Sequence, residues 1–368
     1  MVLAGLLAGA PEAAADAAQG APSADVAKSG PAASSVGGQW KAEWAADGRS
    51  VVYTWAGRHA VAFRLVEPRE PGAKPAFVST TEVTAGLFID VANAAGRCDE
   101  LKALLPPCEG LCDPRRGPRV WHWSRDGQTL RLARAWLVPR PGYCPYPSEA
   151  RPDRPSQSHP MQQVSPAAAA YFARLLGCRL AASAEWRAAC ADAGAGEAAG
   201  WNLRDRAWQR QQAHVRGAFA SGTVGEWGDA GIFLPPGAQA KQGENALGMA
   251  GRDDGVLWFA PMGSGGGFEH LVGNVAEFVL DCPERFDETF REPRSISAAD
   301  VIEFLRENAG AVGVIGGSAL SPPELWDGKE RPFGRAWPIG VGQLRAGAAD
   351  VGFRLAFTAP GRPGAGTR

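Results

Sequence analysis

The sequence predicts an α+β fold, and three observations carry that reading. Strand-like segments come early, helix-like segments follow, and short strand-like segments return near the end. Strands and helices are thus segregated along the chain instead of alternating. Gly (47) and Pro (29) make up about a fifth of the 368 residues, below the roughly 25–30% that marks low complexity. The 13 Trp and a 45% apolar content supply material for a core, so the fold is globular and loop-rich. The length suits one large or two ordinary domains, at roughly 100–200 residues each.

The elements are taken in chain order. Residues 1–38 are rich in Ala, Gly, Ser, Pro and Asp without apolar period, and are expected to be a signal remnant or disordered linker. Their opening, "MVLAGLLAGAPEAAADAAQ", has an apolar core of about nine residues with no basic residue before it, too short to span a bilayer. It favours export to a periplasm or the exterior, with a cytoplasmic location as the alternative. No other stretch approaches a transmembrane helix. From Trp40 the texture changes. "SVVYTWAGRHAVAFRLV" (50–66) reads as two strands turning at Gly57-Arg58, and "AFVST" begins another. "TEVTAGLFIDVANAAG" (81–96) reads as a helix with Val83, Leu87, Phe88 and Val91 on one face and Gly96 at its end. Residues 97–160 read as loop, apart from a hairpin over 119–133 turning at Asp126-Gly127.

Two helices come next. One has Ser165 as cap, Pro166 in its first turn and Gly177 after its end. The other is expected to be capped by Ser183. Residues 196–270 hold many Gly, Asn and Asp and read as loops, a helix capped by Ser297 covers 295–310, and "AVGVIGGSA" and "VGFRLAFT" supply late strands. A domain over 39–360 and a disordered tail over 361–368 complete the expected organisation.

Composition narrows the function. A net charge of −1 from 38 basic and 39 acidic residues, with no Lys/Arg run, predicts no nucleic-acid partner. Five scattered His argue against a multi-histidine metal site. The seven Cys are odd in number, so at least one is a thiol or pairs with another chain. Cys108-x-x-x-Cys112, near Cys98, is half of a zinc pattern without its other half, and disulfides or buried thiols are the competing readings. "GSGGG" (263–267) lacks the Gly-Lys-Ser/Thr of a phosphate loop and reads as a flexible loop.

Four segments, in order, carry a resemblance. They are "TEVT" with Phe88, "HPMQQVSPAAAAYFARLLGCRLAASAEWRAA" (159–189), "LVGNVAEFVLD" (271–281), and "VIGGSALSPPE" with "VGFRLAF". Together they resemble the formylglycine-generating enzyme / sulfatase-modifying factor family. The resemblance implies that family's variant of the C-type lectin fold, with small sheets, few helices and long irregular loops. The chain departs from the family pattern at Ala181-Ala182-Ser183 and at Ala276-Glu277-Phe278, as a diverged member would.

The family's oxidase holds copper(I) on two cysteine thiolates and converts a substrate cysteine to formylglycine. Soft thiolates suit copper(I). Active members place these cysteines three and eight residues after the Ser of Gly-Gly-Ser, which here is Ser318. The corresponding residues are Ser321 and Trp326, and neither replaces a thiolate, so copper is not expected. The function read from this is a non-catalytic ligand-binding or scaffold protein, with Ser318, Ser321, Trp326 and Arg335 as groove candidates. Its ligand is an unidentified peptide, protein or glycan. The alternative is a diverged oxygen-dependent oxidoreductase acting on a peptide cysteine, if another thiol reaches the site. The resemblance also implies structural calcium, a hard cation suited to oxygen donors. Asn274 and Glu277, expected at the start of a helix, match one family site, and Asn202 with Asp254 matches a second. The competing reading has Asn274 in a turn and Glu277 paired with an arginine. Arg354, in Gly-Phe-Arg, is expected to be a buried structural arginine with a carboxylate partner.

Overall fold

The structure, a computed structural model, describes residues 40–105, 112–113, 117–118, 120–124, 126–132, 157–193, 262, 267–292, 296–318, 334–348 and 350–359. Four strands come first: β1 (Trp40–Trp44), β2 (Ser50–Trp55), β3 (His59–Val66) and β4 (Ala76–Ser79). Helices α1 (Ala85–Ala94) and α2 (Cys98–Leu104) follow, then the short strands β5 (Cys112–Asp113), β6 (Gly117–Pro118), β7 (Trp121–Trp123) and β8 (Leu130–Leu132). Next are α3 (Pro166–Leu175), β9 (Arg179–Leu180), α4 (Ser183–Asp192), β10 (Ala276–Leu280), α5 (Pro283–Thr289) and α6 (Ala298–Glu307). The late strands are β11 (Val312–Ile315), β12 (Trp337–Pro338), β13 (Val351–Phe353) and β14 (Leu355–Thr358). The arrangement is α+β.

The larger sheet runs β1-β2-β3-β4-β14-β9, antiparallel at every step. The smaller runs β12-β11-β10-β13, and its β10–β13 pairing is parallel. Only Arg354 separates β13 from β14, so the chain crosses from the smaller sheet to the larger at that residue.

Local chemistry explains most boundaries. Between β2 and β3 the left-handed residues are Ala56 and Gly57, with φ of 50° and 69°, one position earlier than expected. Arg58 N–H closes the turn on the Trp55 carbonyl at 3.0 Å. Thr84 caps α1 by accepting from Leu87 N–H at 3.3 Å. The helix starts at Ala85 and not at Thr81, because Val83 N–H is donated to the Phe353 carbonyl, which holds that segment extended. Gly96, at φ 63°, comes just after its end. Ser165 caps α3 and Pro166 occupies its first turn, while Ser297 and Asp300 cap α6 reciprocally. In α4, Ser183 is the first helical residue and not the cap. Its N–H and hydroxyl are both donated to Asp281, and Glu185 accepts the Ala182 N–H instead.

All ten residues of α3 are buried. Its run Ala167–Ala170 has no side chain beyond Cβ, which lets neighbouring elements approach closely. Phe172 stacks on Phe88 with centroids 4.3 Å apart, and Phe353 meets both edge-on. Burying each such ring contributes roughly 1.5–3 kcal/mol. A second cluster packs Trp186, Leu271, Val272, Val279 and Ile315 with Val66, Val78 and Ala356 of the larger sheet.

Candidate functional site

The Gly-Gly-Ser turn comes directly after β11. Gly316 and Gly317 have φ of 96° and 66°. A Cβ on Gly316 would lie 2.9 Å from the Leu271 carbonyl, so both conformation and space demand glycine there. The Gly316 carbonyl accepts from Gly273 N–H at 3.1 Å, tying this turn to the one before β10. Ser318 is buried, and its hydroxyl donates to Asp350 Oδ2 at 2.8 Å. Its hydroxyl is thus engaged by the fold. Ser321 and Trp326 lie outside the described residues. Arg335 is exposed, with its guanidinium carbon 5.7 Å from the centroid of Trp337. Trp337 is opposite Val314 in the β11–β12 pairing, which puts Arg335 alongside the Gly-Gly-Ser turn, within about 10 Å at ordinary strand spacing.

Asn274 and Glu277 are brought into one buried polar cluster. Asn274 is left-handed, with φ 59°. From there the chain enters strand β10 and not a helix, because all five residues Ala276–Leu280 are buried and pair with β11 on one side and β13 on the other. Glu277 receives Arg354 Nε at 3.1 and 3.0 Å on its two oxygens and Nη2 at 2.7 Å. The remaining Arg354 donors reach the Ser79 carbonyl at 3.0 Å and the Glu269 carbonyl at 2.9 Å. The planar guanidinium suits this many acceptors, and it ties the end of β4 to β10 where the two sheets meet. The expected carboxylate partner of Arg354 is Glu277.

The sequence reading missed the third member, Glu82. Its Oε2 accepts from Asn274 Nδ2 at 2.8 Å and its Oε1 from Val275 N–H at 3.3 Å. Glu82, Glu277 and Arg354 are all within 2% of complete burial, so two carboxyls face one guanidinium. Burial pushes the Glu82 carboxyl well up, and the Glu277 charge adds to it, against the pull of Arg354 and Asn274. Burial raises the Glu277 carboxyl too, against the charge and hydrogen bonds of Arg354. Beside Glu82, a cavity of about 270 Å³ is lined by Arg58, His59, Ser79, Thr84 and Ser158 among others. His59 Nε2 lies 2.9 Å from Asp90 Oδ2 there. No spacing in the sequence announces either feature.

This donor set bears on calcium. Both Glu277 oxygens are occupied by Arg354, and a dication beside that guanidinium would meet repulsion in a dry interior. As arranged, Glu277 fits Arg354 and does not fit calcium. Asn202 and Asp254 lie outside the described residues.

The described thiols are Cys98, Cys178, Cys190 and Cys282. Burial raises the Cys98 thiol, pushes Cys282 up to about 11 and lifts buried Cys178 further still. Those three are therefore thiols and not thiolates at neutral pH. Cys282 lies beyond the Leu280–Val312 end of the β10–β11 pair, whereas Ser318 lies beyond the Glu277–Ile315 end. At ~3.3 Å per residue that separates them by on the order of 20 Å.

Comparison with known proteins fits this geometry. The model of the sulfatase-modifying factor enzyme 1-like domain matches residues 45–359, and the chain belongs to that family, whose fold is C-type lectin-like. No curated protein matches the sequence. Among solved structures, Treponema denticola variable protein 1 aligns at 12% identity over 84% of this chain and 99% of that one, with a TM-score of 0.34. So loose a likeness carries no weight here. Among the described residues no helix is long and apolar enough to cross a membrane.

Proposed function

We propose that this chain is a non-catalytic binding or scaffold module built on the formylglycine-generating-enzyme-like fold, with the copper-thiolate chemistry lost. The observation that carries the reading is the pair Ser321 and Trp326, standing where thiolates are required. The raised thiols of Cys98, Cys178 and Cys282, and the distance of Cys282 from the Gly-Gly-Ser turn, support it. The ligand is a peptide, protein or glycan held near Ser321, Trp326 and Arg335. Calcium, in this reading, draws on Asn202 and Asp254 with loop carbonyls, and Glu277 serves Arg354. Export rests on the apolar stretch within residues 1–10.

The test is to incubate the protein with copper(I), oxygen and a cysteine-containing sulfatase-motif peptide and to assay for aldehyde. None is expected, and aldehyde formation overturns the reading in favour of a diverged oxidase. In parallel, calcium is expected to raise the melting temperature, since a ligand of the native state stabilises it by mass action. A melting curve indifferent to both calcium and chelator removes the metal from the proposal.

A further inference from the structure

The segment after the Gly-Gly-Ser loop carries an exposed surface that the fold does not use. Trp337 is 60% exposed and Val341 48% exposed, in a chain that buries most of its described large apolar side chains. Arg335 lies over the Trp337 ring, and Arg345 is exposed further along. Neither arginine forms an ion pair among the described residues. From Gly334 to Ala348 the sequence contains no Asp or Glu, so the strip is cationic and aromatic on a chain whose net charge is −1. Leu344 anchors it from beneath, buried and accepting from Ala167 N–H at its carbonyl.

We propose that this strip, centred on Trp337 with Arg335 over its ring and Arg345 further along the same segment, is the docking surface for an acidic peptide segment. The inference rests on the binding-module reading above and names the chemistry of its partner. Charge complementarity selects the occupant. Exposed guanidiniums favour carboxylates, which they bind in a planar two-point mode. The exposed indole supplies a broad rigid apolar contact of the kind that concentrates binding energy. Recognition is by side chains and not by strand addition. Ile339 N–H is donated inward to the Val312 carbonyl, so Pro338, opposite Gly313, turns its backbone outward. It has no N–H to offer a further strand. A glycan would call for acceptors beside the indole. The strip offers arginine donors and Gln343, whose Oε1 already accepts from Gly340 N–H at 3.2 Å.

The experiment uses the full chain and four probes. These are a fluorescent peptide alternating Asp and Glu with Tyr and Pro, the same peptide with Lys for each acid, vesicles containing phosphatidylserine, and a neutral oligosaccharide. The acidic peptide alone is expected to bind, more weakly as salt is raised. Trp337→Ala and Arg335→Glu are each expected to weaken it about tenfold or more, without moving the melting temperature. Arg345→Glu is a second charge reversal for the case in which Arg335→Glu disturbs the fold. Absence of binding by the acidic peptide overturns the proposal. So does binding untouched by Trp337→Ala and both charge reversals, or preferential binding of the vesicles or the oligosaccharide. Aldehyde formation with peptide binding intact sinks the non-catalytic reading alone. No aldehyde, with peptide binding indifferent to all three substitutions, sinks this surface alone.

Discussion

Arg179 and Arg354 are both buried arginines, and each faces two carboxyl groups. At Arg179, Nη1 and Nη2 reach Glu185 at 2.7 and 2.6 Å, and Nε reaches Asp287 at 3.3 Å. The Asp287 side chain is 31% exposed, so water shares in carrying the second negative charge. At Arg354 both acids, Glu277 and Glu82, are shut away from water. There burial and the neighbouring Glu277 charge raise the Glu82 carboxyl instead. The difference teaches that the first centre is a plain clamp between β9, α4 and α5, whereas the second combines a clamp with a titrating group at the junction of the two sheets.

The strongest way to break this comparison is to remove the arginines one at a time. Arg354→Ala leaves Glu277 buried without a partner and is expected to cost about 3–5 kcal/mol, read by denaturant unfolding. Arg179→Ala is expected to cost less, because the stranded Glu185 still accepts the Ala182 N–H and Asp287 can turn to water. Equal losses would erase the distinction.

Glu82→Gln sharpens it through pH. The folded state holds Glu82 above its ordinary value of 4.5. Its contribution to stability is therefore fully present below pH 4.5 and is lost as pH rises through the folded value. The charged groups facing it are Glu277 and Arg354. Gln cannot titrate, so the melting temperature of Glu82→Gln is expected to gain on the parent as pH goes from about 5 to about 8. A constant difference across that range would show that Glu82 is ionised throughout.

The smallest expected effect is Ser318→Ala, which removes the hydrogen bond to Asp350 and should cost about 1–2 kcal/mol. It should leave acidic-peptide binding unchanged, because the hydroxyl points into the fold. Loss of binding without loss of stability would return Ser318 to the groove.

Helix caps at Ser165 and Ser297, the hairpin over 50–66 and the ordered motifs are legible in the sequence because each depends on residues within a few positions of one another. So is the need of Arg354 for a carboxylate. Glu82 is not legible, since its partner Asn274 lies 192 positions away and no local pattern encodes that meeting. Strand β10 reads as a helix start because burial on both faces removes the alternation that marks a strand. Helix α2 escapes notice because Arg97 provides no side-chain cap, so its start carries none of the usual polar signal. In the Gly-Gly-Ser region the position of the turn is readable, but the inward aim of Ser318 depends on Asp350, 32 residues later.

The larger sheet places β14, the last strand described, between β4 and β9 and not at an edge. On a ribosome the earlier strands emerge well before Leu355–Thr358 exist. Until those four residues arrive, β4 and β9 have no common neighbour and Arg354 has not yet brought its charge to Glu277. The nascent chain therefore waits, with an open seam through its larger sheet, for β14 to close it. A translational stall or a truncation before Arg354 would leave that seam exposed to chaperones and to other chains.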